Sequence, residues 1–190
     1  MWALLGKGRS FPFKYKGMID LKQFKNNSIQ KGLCQGYTDM WSDEKSKCQL
    51  FELACDTNAV EYMAKSLSQG WGLSPEYIAD KFKFFINGRY ICKYKNEKGH
   101  GYTSTMLCKY NGEKFLIDTT LLCVLETNTK LVVSPYHICK IYVAGESNLS
   151  IELGENSRCY IYLYGKEPVL TGDYMNNRVI VKRIIEEVDE

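Results

Sequence analysis

The pattern of hydrophobic positions changes once along the chain, close to Gly88. Before it, from about residue 28, apolar residues recur at helical spacing, and after it they alternate with polar residues as in β-strands. Helices followed by strands predict an α+β fold rather than alternating βαβ units. We expect a helical subdomain over residues 28–88 and a β-domain over residues 89–185, preceded by a basic, partly flexible arm over residues 1–27.

About three helices are predicted in the first part, over residues 42–56, 57–70 and 74–87. Each begins with a hydroxyl side chain that is suited to capping free backbone N–H groups, namely Ser42, Thr57 and Ser74. Pro75 suits the first helical position of the third helix, and Asn87 with Gly88 is expected to end it.

A hairpin is predicted at the start of the β-domain, because strand-like alternation flanks the Gly-His-Gly turn at 99–101. Symmetry about this turn sets Tyr90 opposite Tyr110, Cys92 opposite Cys108 and Tyr94 opposite Met106. Short β-rich runs separated by Asn, Gly, Ser, Pro and Glu follow up to residue 185.

A period of twenty residues runs through the β-domain and relates ICKIYVAG (138–145) to RCYIYLYG (158–165). Steps of twenty align Cys139, Cys159 and Val179; Ile141, Ile161 and Val181; Val143 and Leu163, preceded by Cys123; and Gly145 with Gly165. Half a repeat later they align Leu149 with Val169, and Leu131 with Ile151 and Thr171.

Such columns predict a short β-solenoid of about three coils, since equivalent residues of successive coils stack in register. An antiparallel β-meander or sandwich with a strand every ten residues remains the alternative. Parallel stacking of residues 139, 159 and 179 distinguishes the two. The helical subdomain is expected to cover one end of the coils, and the acidic tail (IIEEVDE) or another subunit the other.

Composition and charge add little to this description. Hydrophobic residues make up 45% and charged residues 25% of the chain, which are globular values. Basic residues crowd the first segment, at Lys7, Arg9, Lys14, Lys16, Lys22, Lys25 and Lys31. The segment is typical of a solvated terminus, although it could also bind phosphate or an acidic partner. Neither a secretory signal nor a membrane-spanning run is recognisable, so we expect no membrane partner and a cytoplasmic or virion-associated location.

Chemical motifs are scarce. The eight cysteines lie mostly in apolar runs without metal-binding spacing, which favours buried thiols over disulfides or ligands. GKGRS (6–10) lacks the spacing of a phosphate-binding loop. His137 and Cys139 lie two residues apart but lack the third group that nucleophilic catalysis needs. We therefore predict a protein that is not an enzyme and has no metal or cofactor.

A nucleic-acid interface is the alternative functional interpretation. The second and third predicted helices with the following hairpin resemble a winged helix-turn-helix module. In that arrangement Tyr77, Lys81, Lys83 and Arg89 approach DNA, while Lys93, Lys95 and Lys98 on the wing contact phosphates. The proposed recognition helix is crowded with Phe side chains and carries no Asn, Gln or Arg before Asn87 to read base edges.

Three passages resemble short uncharacterised proteins encoded by phages and prophages of gut bacteria: GWGLSPEYIADKFKFFINGRYI, GYTSTMLCKYNG and HICKIYVAGESNLSIELGENSRCYIYLYGK. The resemblance covers residues 18–172 and carries no catalytic or binding residues. It implies a mobile-element setting, in which short β-solenoids build fibres, spikes and virion decorations, often as trimers.

Taken with the solenoid, this resemblance predicts a non-enzymatic structural or protein-interaction module of a phage or prophage. Its partner is expected to be another protein or further copies of itself, so a homo-oligomer is predicted. The candidate contact surface is a set of aromatic and basic residues between the inward positions, since aromatic residues anchor interfaces. The set comprises Lys140, Tyr142, Tyr160, Tyr162 and Lys182.

Overall fold

The computed structural model describes residues 17–42, 44–95 and 98–185. It confirms the predicted α+β fold with a β-solenoid, with five helices in the described part of the chain instead of about three. They are α1 (Leu21–Gln30), α2 (Gln35–Met40), α3 (Lys47–Ala54), α4 (Thr57–Ser68) and α5 (Pro75–Lys81). Much of the predicted basic arm, the GKGRS motif and most of the acidic tail lie outside the described residues.

Ten strands form two sheets that the chain visits in alternation after the first hairpin. Sheet A contains β1 (Cys92–Lys95), β2 (Gly101–Cys108), β4 (Leu121–Leu125), β6 (Ile138–Ala144), β8 (Arg158–Tyr164) and β10 (Val179–Ile184), in that order. Sheet B contains β3 (Lys114–Ile117), β5 (Asn128–Val133), β7 (Asn148–Leu153) and β9 (Val169–Gly172), in that order. All pairs are parallel except β1 with β2, so the antiparallel meander is excluded.

The predicted inward columns are confirmed where the repeat is regular. Cys139 pairs with Cys159, and Cys159 pairs in turn with Val179. Ile141, Ile161 and Val181 form the next column in the same way. Except for Val181, these side chains fill the space between the sheets together with residues from sheet B.

Three predicted alignments are wrong because the coil length varies. From β4 to β6 the step is one residue short of twenty, so Cys123 lies beside Tyr142 and faces the helices. From β7 to β9 it is one residue longer than twenty. Leu149 therefore pairs with Leu170 instead of Val169, and Ile151 with Gly172 instead of Thr171.

The helices pack against the outer face of sheet A and not against an end of the solenoid, contrary to expectation. α4 contacts β4, β6 and β8, which makes a three-layer arrangement of helices, sheet A and sheet B. β4 is buried on both faces, and its sequence LLCVL is accordingly apolar at every position. β5 alternates between buried and more exposed residues because it is covered on one face only.

The starts of two helices differ from the prediction. α3 begins after Ser46 and not at Ser42, because Ser46 and Gln49 form a reciprocal capping box. α4 is capped by Asp56, whose side chain accepts a hydrogen bond from the backbone N–H of Asn58 at 3.2 Å.

α5 ends at Lys81, six residues before the predicted end. The chain then turns towards β2, where the backbone N–H of Asn87 donates to the carbonyl of Met106 at 2.7 Å. The side-chain oxygen of Asn87 accepts from the backbone N–H of Cys108 at 2.9 Å. Asn87 thus joins the turn to sheet A.

α1 lies partly within the segment that was expected to be an arm. Asp20 caps it by accepting from the backbone N–H of Gln23 at 2.8 Å. Phe24 on α1 is buried and lies 5.1 Å from Trp41 and 6.2 Å from Trp71 between ring centroids. The helix therefore belongs to the packed helical layer.

The hairpin forms, but its predicted register is wrong by four residues. Cys92 pairs with Ser104, and Tyr94 pairs with Tyr102 instead of Met106. The tyrosine rings stack at 4.9 Å, and their hydroxyls donate to the carbonyl of Glu52 and the carboxylate of Asp56. Contacts between the hairpin tyrosines and the helices select this register. The symmetry of the sequence about the glycines does not reveal these contacts.

One corner of the solenoid repeats the same left-handed backbone conformation in each coil. Lys109, Glu126, Gly145 and Gly165 all have positive φ, between 44° and 82°, directly after the strands of sheet A. A side chain at Gly145 would place its Cβ 2.7 Å from Cγ of Glu126. Glycine avoids this close contact and the strain that Lys109 and Glu126 carry at the equivalent positions.

We expect Ile141→Ala to lower the free energy of unfolding by about 2–5 kcal/mol, because it leaves a cavity between the sheets. Ile138→Ala on the same strand is the control, since Ile138 is 59% exposed, and it should change stability by at most about 0.5 kcal/mol. Urea unfolding at 25 °C measures both. Equal losses in the two variants would contradict the assigned columns.

Candidate interaction surfaces

The outer face of sheet A was expected to be a contact surface, but α4 covers its centre. Tyr142 is only 7% exposed, and its ring stacks on that of Tyr162 at 4.9 Å. Farther along β8, the hydroxyl of the buried Tyr164 donates to Glu61 of α4 at 2.7 Å. Tyr142 is therefore inaccessible to a partner, and the tyrosines contribute to helix docking.

The other members of the predicted contact surface adjoin Tyr142 on neighbouring strands of sheet A. Lys140 is exposed and pairs with the half-buried Tyr160. Lys182 is exposed on β10 and pairs with Tyr162. The five predicted residues thus occupy adjoining positions on β6, β8 and β10, with the buried Tyr142 among them.

The clearest apolar surface lies on the last coil, which we call the open coil and define as residues 169–184. The exposure of this coil is clear from one inward column, which consists of Leu122, Ile141, Ile161 and Val181. Its first three residues are at most 1% exposed, whereas Val181 is 38% exposed because no further coil covers it in the described chain. Ile180 on β10, Val169 on β9 and Met175 between them are 51%, 48% and 80% exposed.

Polar contacts hold the open coil in place. The Arg183 guanidinium donates to the carbonyl of Pro168 at 3.0 Å. Arg178 donates to the carbonyl of Gly154 at 3.1 Å, and Asp173 accepts from the backbone N–H of Leu153 at 2.9 Å. A groove of about 620 Å³ lies between β9 and β10, with Val181 and Met175 in its wall. These hydrogen bonds thus hold the backbone that carries the exposed apolar side chains.

β10 also offers a strand edge. It is the last strand of sheet A and pairs with β8 on one side only in the described part of the chain. Backbone N–H and C=O groups along such an edge are available for pairing with another strand.

The residues of the DNA-binding alternative are not brought together on one helix. Tyr77 and Lys81 lie on α5, whereas Lys83 and Arg89 lie in the turns that follow it. Lys81 pairs with Asp80 at 2.8 Å, and the Arg89 guanidinium donates to the carbonyl of Lys83. The wing residues Lys93, Lys95 and Lys98 are exposed.

Six of the eight cysteines are buried, and His137 bonds to a neighbouring corner of the coil. Cys139 and Cys159 face each other in the solenoid core, with their sulfur atoms 3.6 Å apart. Nε2 of His137 lies 2.8 Å from the carbonyl oxygen of Thr119, which fixes a corner of the coil. Burial raises the pKa of the Cys123 thiol to about 12. Across the described ranges, the His, Cys, Asp and Glu side chains form no group of three suited to a metal ion.

The sequence predicted that this end of the coils needs covering, but it assigned Val181 to a buried column and so did not identify the exposed residues. The signal was present in the next column, where Arg183 takes the position that Val143 and Leu163 hold in earlier coils. A charged residue at an inward position indicates the last coil of a solenoid.

Among the helices described, none is long and apolar enough to cross a membrane. Comparisons with protein-family models, with curated proteins and with solved structures found no match.

Tyr142 makes helix docking sensitive to alkaline pH. Burial, with the negative charge of Glu61 and the neighbouring Tyr162, raises the pKa of Tyr142 from 10 to about 12. The folded protein then holds this proton more tightly than the unfolded chain, so its stabilising effect is complete below pH 10 and is lost as pH rises towards 12.

We expect Tyr142→Phe to lose less stability than the wild type between pH 8 and pH 11, measured as the shift in the urea midpoint. Tyr136→Phe is the control, because the Tyr136 ring is 69% exposed, and it should follow the wild type. An unchanged pH dependence in Tyr142→Phe would refute the assigned role.

Proposed function

We propose that this protein is a non-enzymatic structural or protein-interaction module of phage or prophage type, which associates with further copies of itself through the open coil. One observation carries this proposal: Val181 of a core column and its apolar neighbours are exposed beside a strand edge with which no other described strand pairs. The resemblance to short phage and prophage proteins supports the setting.

The open coil combines the two features that favour strand addition. The free edge of β10 supplies backbone hydrogen bonds, and Val181 with Ile180 supplies apolar area on both faces of that edge. Soluble proteins usually protect long strand edges with charges or by covering them. Lys182 and Arg183 lie on this edge, but they leave the first half of β10 apolar.

A second copy is the occupant that fits best, since one edge strand can pair with its own copy about a two-fold axis. In an antiparallel register centred on Val181, Lys182 of each copy would lie opposite Ile180 of the other. Like charges would then not face each other directly across the interface. The two grooves beside β10 would also face each other, which would bury Met175.

The alternative, a DNA-binding regulator of winged helix-turn-helix type, has weaker support. α5 has only seven residues, and its Pro75 and Ile78 are buried against the rest of the protein. Exposed lysines on the hairpin favour it.

We expect the wild-type protein to form a defined oligomer at micromolar concentration, and Val181→Lys to be monomeric because it adds a charge at the centre of the interface. Light scattering after size exclusion measures the mass. The substitution should preserve the fold, which circular dichroism checks, because Val181 already contacts water.

Ile138→Lys is the matched control, since it introduces the same charge at an exposed position of β6 away from the open coil. It should assemble like the wild type. A wild-type protein that stays monomeric at several hundred micromolar, or a Val181→Lys variant that still assembles, would contradict the proposal.

A further inference from the structure

The chain contains two Asn-Gly pairs, Asn87-Gly88 and Asn111-Gly112. In such a pair the backbone nitrogen of the glycine can attack the side-chain amide carbon of the asparagine, because glycine has no Cβ to obstruct the approach. The asparagine side chain must be free to turn towards the next residue for this reaction. The surroundings of each pair therefore decide whether it reacts.

Asn87 is held by two hydrogen bonds to β2. Its backbone N–H donates to the carbonyl of Met106 at 2.7 Å, and its side-chain oxygen accepts from the backbone N–H of Cys108 at 2.9 Å. Attack by Gly88 would require the side-chain amide to leave Cys108, which is 1% exposed. A buried N–H that loses its acceptor is destabilising, so the folded protein protects Asn87.

Asn111 lies in the segment between β2 and β3, and its side chain is exposed. Neither this side chain nor the backbone N–H of Gly112 forms a hydrogen bond with a residue that the structure describes. No polar contact in the described chain thus opposes the rotation that brings the amide carbon of Asn111 to the nitrogen of Gly112.

We infer that Asn111 is a site of spontaneous deamidation in the folded protein, whereas Asn87 is not. The backbone nitrogen of Gly112 bonds to Cγ of Asn111, the Cγ–Nδ2 bond breaks, and ammonia leaves with the proton that the backbone nitrogen loses. Water then opens the five-membered ring. Addition of water at Cγ gives aspartate. Addition at the backbone carbonyl carbon gives isoaspartate, in which the main chain runs through Cγ and is one carbon longer.

The two products differ in their effect on the fold, because two hydrogen bonds join this segment to β5. The backbone N–H of Asn128 donates to the carbonyl of Tyr110 at 2.8 Å, and the Thr129 hydroxyl donates to the carbonyl of Gly112 at 2.6 Å. The two carbonyls flank residue 111. An added main-chain carbon changes their spacing, so both bonds cannot keep their geometry. Isoaspartate should therefore loosen the first coil, whereas aspartate should not.

This reaction is independent of self-association. Among the described strands, β3 and β9 lie at opposite edges of sheet B, and the segment that contains Asn111 leads into β3. The open coil contains β9 and lies at the other end of the solenoid. Deamidation should accordingly leave the oligomeric state unchanged while the coils remain folded.

Incubation of the folded protein at pH 9 and 37 °C, followed by peptide mapping with mass spectrometry, tests the inference. Alkaline pH speeds the reaction because the attacking nitrogen must lose its proton. Asn111 should convert to aspartate and isoaspartate, and Asn87 about thirtyfold more slowly, the size expected for two net hydrogen bonds. In guanidinium chloride both residues should convert at similar rates, since each precedes a glycine.

Two variants separate the products. Asn111→Gln should not react on this timescale, because its longer side chain would have to close a six-membered ring, and Asn111→Asp carries only the product with the normal linkage. Aged wild-type protein should unfold at a lower urea concentration than fresh protein. Aged Asn111→Gln and fresh Asn111→Asp should keep the midpoint of the fresh wild type, since residue 111 is exposed.

The inference is wrong if Asn111 stays intact in the folded protein while it converts in guanidinium chloride, or if Asn87 converts as fast as Asn111 under folding conditions. Aged protein that contains isoaspartate and keeps the midpoint of fresh protein would overturn the proposed effect on the first coil.

Discussion

Sheet A is packed on both of its faces, and the positions of the other layers follow from this. Leu122 and Val124 of β4 face sheet B, whereas Leu121, Cys123 and Leu125 face the helices. A sheet with two apolar faces must be covered twice, so the helical layer lies along the coils and not across their end. Nine of the ten described strands contribute buried residues to this arrangement, and α4 packs across three successive coils of sheet A.

This arrangement decides which surfaces are left for partners. The helical layer covers the aromatic centre of sheet A. The surfaces that are open to a partner therefore lie at the borders of that layer. One border is the corner before α4, where charged and polar side chains line a concave site. The other is the last coil beyond Tyr164, where no other part of the described chain covers the apolar side chains and the strand edge.

The repeat of residues 138–165 was sufficient to predict the solenoid and the columns of Cys139 and Ile141, because stacked coils impose an in-register pattern on the sequence. It failed at Cys123, where the coil is one residue shorter. The alternation of apolar and polar residues also could not show whether Tyr142 faces a helix or water, since a tyrosine on a strand suits both surroundings. The uninterrupted run LLCVL in β4 was the available sign that sheet A is covered twice.

The contacts of α4 also bear on how such a protein can change in length. A duplicated unit of about twenty residues placed after β10 would extend the columns from Val179 and Val181 while every partner of α4 stayed where it is. The same unit placed between β6 and β8 would carry Tyr164 about 4.8 Å, one strand spacing, away from Glu61 and separate Tyr142 from Tyr162. The fold therefore tolerates growth in one direction, and variation in coil number among related chains should accumulate at the end that the helices do not touch.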